Sequence, residues 1–368
     1  MAEYIRPGKT VGIIGGGAFA FLLAMEAKIL GFRVCVLEST KECPAGKMAD
    51  EFIEGNIQDL YDLEQLGRRC DVLIYATNRL QLHTMMTIEE KFNLPQGING
   101  LAYAQDLFLK KTFLEDVGIN IAPYATIVRI TDIEENIDGI GYPCLLRDSQ
   151  GVQEVVIESA SDVVHAMDLV KQDSCILESM IAYQYDVSMA VARNNRGDVM
   201  FFPPVEHVSS FGEERKFQTK DDLDPLMVQE LERIARVIVE KMEYEGTMTI
   251  RYHITSEGVI YVDDMVSYPD ESTLLTLDAC QFNTFSAHLR GVCQWPLQEK
   301  ADCFMPAVTT LITGKDISSA KRQIEHQANW HFYFYDYEFA RGDSVVGHVT
   351  ALTSEQSHEL LEMDKFFL

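Results

Sequence analysis

Basic residues are scarce in this sequence of 368 residues. Lysine and arginine together number 31, whereas aspartate and glutamate number 57, and the formal charge at pH 7 is −26. Because the total charged content is an ordinary 24%, the acidity reflects few bases rather than many charges. Such a chain repels phosphate backbones and anionic lipid surfaces, which argues against nucleic acid and membranes as partners. It leaves open one small anionic ligand in a local pocket.

Long apolar runs and metal-binding spacings are also absent. No stretch approaches 18 consecutive apolar residues and no charged-then-apolar leader follows Met1, so we expect no transmembrane helix, no secretory signal and a cytoplasmic protein. The eight cysteines contain no CxxC pair, and the nine histidines never stand with a cysteine at ligand spacing, which argues against a zinc site. We therefore expect reduced, buried thiols.

The first hundred residues predict strands that alternate with helices. The expected elements are strands at 9–14, 32–37 and 70–75 and a helix at 18–30. Apolar strands in such an alternation are typical of a parallel sheet covered on both faces. Gly15, Gly16 and Gly17 form the turn before the helix, and Glu38 ends the second strand, which fits a dinucleotide-binding fingerprint. The alternative is a tight strand-to-helix turn that binds no nucleotide.

From about residue 100 the pattern changes to short strands, hairpins and helices, which is typical of an α+β arrangement. Helices are expected at 103–117, which carries Lys110 and Lys111, and at 272–292. The tail is rich in short strands. The sequence therefore predicts an α/β and α+β protein with three domains, at 1–99, 100–300 and 301–368.

Several segments, in the same order along the chain, resemble the ATP-grasp 5-(carboxyamino)imidazole ribonucleotide synthases of purine biosynthesis. They are 11–17 (VGIIGGG), 175–178 with 187–188, 246–252 with 261–269, 285–296 (FSAHLRGVCQWP) and 341–350. The resemblance implies an N-terminal Rossmann-like pre-ATP-grasp domain, a central ATP-grasp domain and a small β-rich C-terminal domain. It implies an ATP-dependent ligase that uses Mg²⁺, activates bicarbonate, and carboxylates aminoimidazole ribonucleotide. It also implies a homodimer.

The same resemblance assigns nucleotide-binding positions. They are Lys111, Arg147, Glu178, Met180, Ile181 and Asp186. Glu178 begins the adenine-contacting segment, and Asp186 aligns with the family's ribose-binding acid. Arg147 replaces the family's phosphate-binding lysine, and only Gly151 remains of the glycine-rich loop that follows, so few backbone N–H groups are left to cradle phosphate.

The metal and catalytic positions depart from the family pattern. Arg251 stands at the first metal carboxylate and Asp264 at the second, so Asp264 alone keeps the oxygen ligand that Mg²⁺ prefers. We expect Arg251 and Asp264 to form an ion pair across their hairpin. The catalytic residues are unknown, since the family positions hold Arg251, Tyr268 and Asp270.

The substrate-binding positions implied by the family have changed as well. They are Gly15, Gly16, Gly17, Ala18, Tyr75, Asn78, Arg341 and His348. An acidic pair after the third strand has become Ala76, Thr77 and Asn78, and the family's Arg-x-His reads Tyr268, Pro269 and Asp270. Arg341 is kept in the tail, but the two bases that follow it are lost.

Together these substitutions indicate an ATP-grasp protein that is inactive or functionally altered, because phosphoryl transfer depends on positioning and charge neutralisation. One alternative is a working ligase with an altered substrate. The other is a dinucleotide-binding oxidoreductase that uses the turn of Gly15 to Gly17 with Glu38.

Overall fold

The computed structural model describes residues 4–172, 174–210, 213–335, 342 and 344–365. The helices are α1 (Ala18–Ile29), α2 (Leu60–Gly67), α3 (Leu82–Lys91), α4 (Asn99–Gln105), α5 (Leu107–Asp116), α6 (Ile130–Ile140), α7 (Val163–Gln172), α8 (Pro225–Lys241), α9 (Thr276–Ala279), α10 (Thr284–Val292), α11 (Ile317–Ile324) and α12 (Gln356–Asp364). Within this described part of the chain, every helix is too short or too polar to cross a membrane.

The strands form three sheets. They are β1 (Thr10–Ile14), β2 (Arg33–Glu38), β3 (Glu51–Glu54), β4 (Val72–Tyr75), β5 (Tyr124–Ile127), β6 (Cys144–Asp148), β7 (Glu154–Ile157), β8 (Cys175–Ser179), β9 (Tyr185–Arg193), β10 (Val199–Phe201), β11 (Val205–Ser210), β12 (Glu213–Thr219), β13 (Gly246–Ile254), β14 (Ile260–Val266), β15 (Ala307–Thr313), β16 (Trp330–Phe334) and β17 (Val345–Leu352).

The chain divides into two compact units. The first unit contains Met1–Ile98, Val187–Ile250 and Val266–Leu368, and the second contains Asn99–Asp186 and Arg251–Met265. Strands β9, β13 and β14 each have residues in both units. The three-domain division at 1–99, 100–300 and 301–368 stays a prediction.

A parallel four-stranded sheet opens the first unit, in the order β3-β2-β1-β4. Its central strands are apolar and buried, as a sheet covered on both faces requires. The predicted parallel sheet is therefore confirmed. Gly15, in the left-handed region at φ +102°, turns the chain from β1 towards α1. This turn brings the amino end of α1 to the carboxyl end of β1.

The later segments of the first unit form an antiparallel array with the order β9-β11-β12-β15-β17-β16, in which β10 also pairs with β9. The prediction of one continuous helix at 272–292, in the same unit, is wrong. The segment breaks into α9 and α10, because the Asn283 side chain accepts a hydrogen bond from the Ser286 N–H (2.7 Å) and starts a new helix.

The second unit contains the antiparallel sheet β5-β8-β6-β7. Its core is made of buried side chains such as Ile127, Leu146 and Leu177, with Ile133 from α6. The single helix predicted at 103–117 is also wrong. It is interrupted at Asp106, whose carboxylate accepts hydrogen bonds from two N–H groups in the first turn of α5.

Two cysteines contradict the expectation of reduced thiols. Cys280 and Cys303, both in the first unit, are joined by a disulfide. They are 23 residues apart in sequence and are brought together by an isolated antiparallel bridge between the same two residues. No CxxC spacing signals this pair, because the tertiary fold creates it. The cysteines at 35, 43, 70, 144, 175 and 293 are free thiols.

Candidate functional site

Glu178 is the centre of an ion-pair cluster in the second unit. It lies near the end of β8, opposite Leu145 of β6, and its side chain is only 9% exposed. Its carboxylate accepts a hydrogen bond from Nζ of Lys111 (2.6 Å) and forms an ion pair with Nη1 of Arg147 (3.1 Å). A buried carboxylate is stable when cations of this kind compensate it. Lys111 and Arg147, both predicted to bind the nucleotide, are therefore paired with an acid of the protein itself.

Lys110, the neighbour of Lys111 on α5, is likewise paired. Its Nζ donates to the Asp264 carboxylate of β14 at 2.6 Å. Desolvation acts to raise the pKa of Asp264, but the ammonium of Lys110 outweighs it and holds that pKa below its usual value. The remaining candidate Mg²⁺ ligand is thus an ionised carboxylate that already has a cation beside it.

Arg251 of β13 pairs with Asp186 of β9. Its Nε lies 2.8 Å from Oδ1 and its Nη2 lies 2.5 Å from Oδ2, which is a two-point, fork-like contact. The predicted ion pair between Arg251 and Asp264 is therefore wrong. Adjacent strands bring Asp186 to the guanidinium, while Asp264 contacts Lys110. Asp186, predicted to bind the ribose, thus compensates Arg251, predicted to stand at a metal position.

A histidine completes this part of the second unit. Nε2 of His253 lies 3.8 Å from the Asp186 carboxylate and 4.0 Å from the Asp263 carboxylate. The ring of His253 stacks on Tyr183, with 4.2 Å between the ring centroids. The stack on Tyr183 holds the imidazole next to the two carboxylates.

These residues do not fit a Mg²⁺ ion. A magnesium site needs several hard oxygen ligands in a near-octahedral arrangement. Here one of the two metal positions holds the guanidinium of Arg251, and the other, Asp264, is bound by Lys110. Across the residues that the structure describes, no three His, Cys, Asp or Glu side chains group in a way that could hold a metal ion.

The remaining nucleotide positions lie just after β8. The backbone N–H of Ser179 donates to Pro123, and the N–H of Met180 donates to Pro143 (3.3 Å). The Met180 side chain is exposed. Ile181 follows it on the same connection to β9. The structure thus brings Lys111, Arg147 and Glu178 together in one cluster, with Met180 and Ile181 next to it in sequence.

The first unit has a separate cavity at the glycine turn, which we call the glycine-turn cavity. Its volume is about 450 Å³. Its lining includes five predicted positions, namely Gly15, Gly16, Gly17, Ala18 and Asn78. It also includes Phe19, Glu38, Arg79, Tyr268, Glu271 and Tyr335. The predicted site is therefore a real concavity, and most of its functional side chains come from segments distant in sequence.

Glu38 accepts a hydrogen bond from the backbone of the glycine turn. The backbone N–H of Gly16 donates to its Oε2 at 3.0 Å. A Cβ at Gly16 would lie 2.8 Å from Cγ of Glu38 and 2.5 Å from Sγ of Cys43, so only glycine fits there. Because an acid of the chain already accepts this N–H, the turn is less available to a phosphate than the sequence pattern indicates.

Two predicted substrate residues, Tyr75 and His348, are buried and do not belong to the described lining of the cavity. Oη of Tyr75 donates to the Gly97 carbonyl at 3.0 Å. His348 is fully buried, stacks on Tyr333, and bonds through Nδ1 to the hydroxyl of Tyr335. Burial lowers the pKa of His348 to about 3, so its ring is neutral. The predicted Arg341 lies outside the described residues.

Three side chains of these sites escaped sequence reasoning. Lys110 had a usable signal, since two adjacent lysines stand in an otherwise apolar helix that has to be buried. Glu271 follows the altered Arg-x-His stretch and was visible as a new acid there. Tyr335 had no signal, because only the fold brings it to the glycine turn.

Two models of known protein families match successive segments of the chain. The ribonucleotide synthetase preATP-grasp domain matches residues 8–105, and the ATP-grasp domain matches residues 112–285. The β-α-β unit with the glycine turn is therefore a preATP-grasp domain.

Relatives match almost the whole chain. An N5-carboxyaminoimidazole ribonucleotide synthase of Staphylococcus aureus is 28% identical over 358 residues, which cover 95% of this chain and 94% of the relative. One from Staphylococcus saprophyticus is 26% identical, with 95% of each chain covered.

Solved structures agree in fold. An ADP complex of N5-carboxyaminoimidazole ribonucleotide synthetase superposes with a TM-score of 0.94 at 29% identity, covering 100% of this chain and 98% of the other. The synthetase of Thermotoga maritima has a TM-score of 0.85 at 25% identity, with 97% and 98% of the chains covered. The chain therefore belongs to the ATP-grasp family of N5-carboxyaminoimidazole ribonucleotide synthases.

Proposed function

We propose that this chain is an ATP-grasp protein, related to the carboxylating ligases of purine biosynthesis, that does not carry out their Mg²⁺-dependent ATP turnover. The observation that carries the proposal is the two-point ion pair between Arg251 and Asp186. In this pair, the cation Arg251 stands where the resemblance implies a metal carboxylate. Asp186, at the position implied for the ribose-binding acid, compensates that cation.

Ion pairs within the protein are expected to oppose catalysis of phosphoryl transfer at this site. Catalysis of phosphoryl transfer consists mostly of positioning and of neutralising the phosphate charge with metal ions and bases. In this chain the bases Lys110, Lys111 and Arg147 have carboxylate partners of their own. A bound triphosphate would have to displace those carboxylates, and in the described ranges of the chain Asp264 belongs to no group of three His, Cys, Asp or Glu side chains that could hold the metal.

The adenine-contacting segment supports a weaker, catalytically silent nucleotide interaction. The relatives include synthetases solved with ADP. Residues 178–181 keep the strand and the connection that this family uses at that place. We therefore expect any stabilisation by ATP to be the same with and without Mg²⁺, because the metal position is taken by Arg251.

The test is an ADP-release assay on the full chain with ATP, Mg²⁺, bicarbonate and aminoimidazole ribonucleotide. The Staphylococcus aureus relative serves as the positive control under identical conditions. We expect no ADP above the enzyme-free background. ADP formation that requires Mg²⁺, bicarbonate and aminoimidazole ribonucleotide together would overturn the proposal. Turnover with a different acceptor amine would also overturn it and would favour a working ligase with an altered substrate.

The oxidoreductase alternative loses its main support. Its fingerprint lies inside the segment that matches a preATP-grasp domain, and Glu38 binds the N–H of Gly16. Titration with NAD and NADP checks this directly, and we expect no saturable binding.

A further inference from the structure

The glycine-turn cavity combines an uncompensated acid with aromatic walls. Glu271 lines it, and its carboxylate interacts with its own backbone N–H but forms no ion pair with another residue that the structure describes. Burial raises the pKa of Glu271, because its charged form has lost part of its hydration. An acid in this position gains free energy from any cation that enters the cavity.

Three aromatic rings share the cavity with Glu271. Phe19 and Tyr268 lie with their ring centroids 6.0 Å apart, and Tyr335 completes the apolar part of the lining. The hydroxyl of Tyr335 is held by the buried His348, which fixes the ring in place. Aromatic faces next to a carboxylate attract ammonium groups, because the ring quadrupole and the negative charge act together.

The same cavity disfavours phosphate. Glu38 places a second carboxylate in the lining and accepts the Gly16 N–H that could otherwise contact an anion. The family's Arg-x-His reads Tyr268 and Asp270 here, and Glu271 comes next. In the described part of the lining, aromatic surface and negative charge thus stand where the resemblance implies an arginine and a histidine.

The described lining of the cavity also contains one cationic side chain. Arg79 also lines the cavity, but its side chain is exposed, where water screens its charge. Among the described residues of the lining, two carboxylates and one guanidinium give a net negative charge. An ammonium ligand is therefore favoured over a carboxylate or phosphate of the same shape.

We propose that the glycine-turn cavity binds an unphosphorylated ligand that carries an ammonium group beside an aromatic or apolar body. Glu271 receives the ammonium group, and Tyr268 and Phe19 pack against the body. This inference rests on the proposed function, in that it names the ligand class that replaces the ribonucleotide in the same architecture. It involves no covalent step.

The test uses two probes of matched shape and opposite charge, 2-phenylethylammonium and 3-phenylpropanoate, together with ribose 5-phosphate. Binding to the full chain is measured by saturation-transfer NMR and by calorimetric titration in the absence of ATP. We expect 2-phenylethylammonium to bind saturably, and the two anions to bind at least tenfold more weakly, on the order expected for one charge-assisted contact.

Variants locate the binding. Glu271→Gln keeps the shape and removes the charge, so it should weaken 2-phenylethylammonium about tenfold. Tyr268→Leu removes the ring face and should weaken it about threefold, whereas Tyr268→Phe should not. Glu90→Gln is the matched control, because Glu90 is an exposed acid of α3 outside the cavity. Thermal unfolding confirms that each variant is folded.

The outcomes separate this inference from the proposed function. Absence of 2-phenylethylammonium binding, tighter binding of either anion, or an unchanged affinity in Glu271→Gln would each overturn it. ADP release with the family's substrates, found alongside ammonium binding, would overturn the proposed function alone. Absence of ADP release without ammonium binding would overturn only the ligand class.

Discussion

Arg251 holds Asp186 through both oxygens of its carboxylate, with Nε to Oδ1 at 2.8 Å and Nη2 to Oδ2 at 2.5 Å. The Asp186 side chain is only 8% exposed and that of Arg251 is 25% exposed. The two residues are 65 positions apart in sequence. A pair this well aligned and this little hydrated ties β9 to β13 at the place where a metal-dependent ligase needs oxygen ligands.

Removing the arginine should cost stability. Arg251→Ala leaves the Asp186 carboxylate buried without its guanidinium, and we expect a loss of about 3 kcal/mol in the free energy of unfolding. Arg233→Ala is the control, because Arg233 and Glu230 form an exposed pair on α8, where the loss should stay below about 1 kcal/mol. Urea unfolding followed by circular dichroism measures both. Equal losses would show that the Arg251 pair behaves as an ordinary surface pair.

Glu178 should act as a built-in substitute for an anion. Glu178→Gln leaves Lys111 and Arg147 without this shared carboxylate, and we expect a loss of about 3 kcal/mol. Inorganic phosphate should recover part of this stability, because it can bind the released cations. The melting temperature is measured against phosphate at constant ionic strength. Glu158→Gln, at an exposed acid of the same unit, should show neither effect, and phosphate-independent melting of Glu178→Gln would contradict the prediction.

His288 should make stability depend on pH. It is fully buried, its Nδ1 accepts the Thr247 N–H at 3.0 Å, and burial lowers its pKa to about 4 from 6.5. Because the folded pKa is below the unfolded one, the full stability is present above pH 6.5 and is lost as the pH falls to 4. The loss should reach about 3 kcal/mol.

His288→Asn tests this source of acid sensitivity. The Asn carbonyl can accept the Thr247 N–H in place of Nδ1, but it does not titrate. We expect the slope of unfolding free energy against pH between 6.5 and 4 to flatten in this variant. An unchanged slope would assign the acid sensitivity to other groups.

The Cys280 to Cys303 disulfide predicts a definite thiol count. Alkylation in denaturant should label six of the eight cysteines before reduction and all eight after it. Cys303→Ser should lower the free energy of unfolding by about 3 kcal/mol, the chain-entropy value for a loop of this length. Mass spectrometry and urea unfolding measure the two effects. Labelling of all eight cysteines without reductant would show that the pair is a dithiol in solution.

Much of the fold was readable from local patterns. Apolar strands alternating with helices predicted the parallel sheet of β1 to β4, since burial on both faces demands continuous apolar runs. The two long helices were wrong because capping side chains act over a few residues. Asp106 and Asn283 each start a new helix inside a segment whose hydrophobic periodicity runs on.

The partners of the charged residues in the candidate site were harder to predict from the sequence than the strands and helices. The sequence singled out Arg147, Arg251 and Asp264 as candidate site residues, but it did not reveal the partner of Arg251. Ion pairs depend on distances of a few ångströms between strands, and proximity along a hairpin favoured Asp264 over Asp186. The tertiary structure decided otherwise, because β9 presents Asp186 to the guanidinium and α5 presents Lys110 to Asp264.

By itself, the sequence determined the family, the parallel sheet and the shortage of bases, because these follow from local order and composition. Only the tertiary structure decided how the remaining bases are used. Lys110, Lys111, Arg147 and Arg251 all pair with acids of the chain itself. It also placed Glu271 in a cavity where no residue within the described ranges forms such a pair with it, since whether a charge is compensated depends on three-dimensional distance and burial and not on the number of charges in the chain.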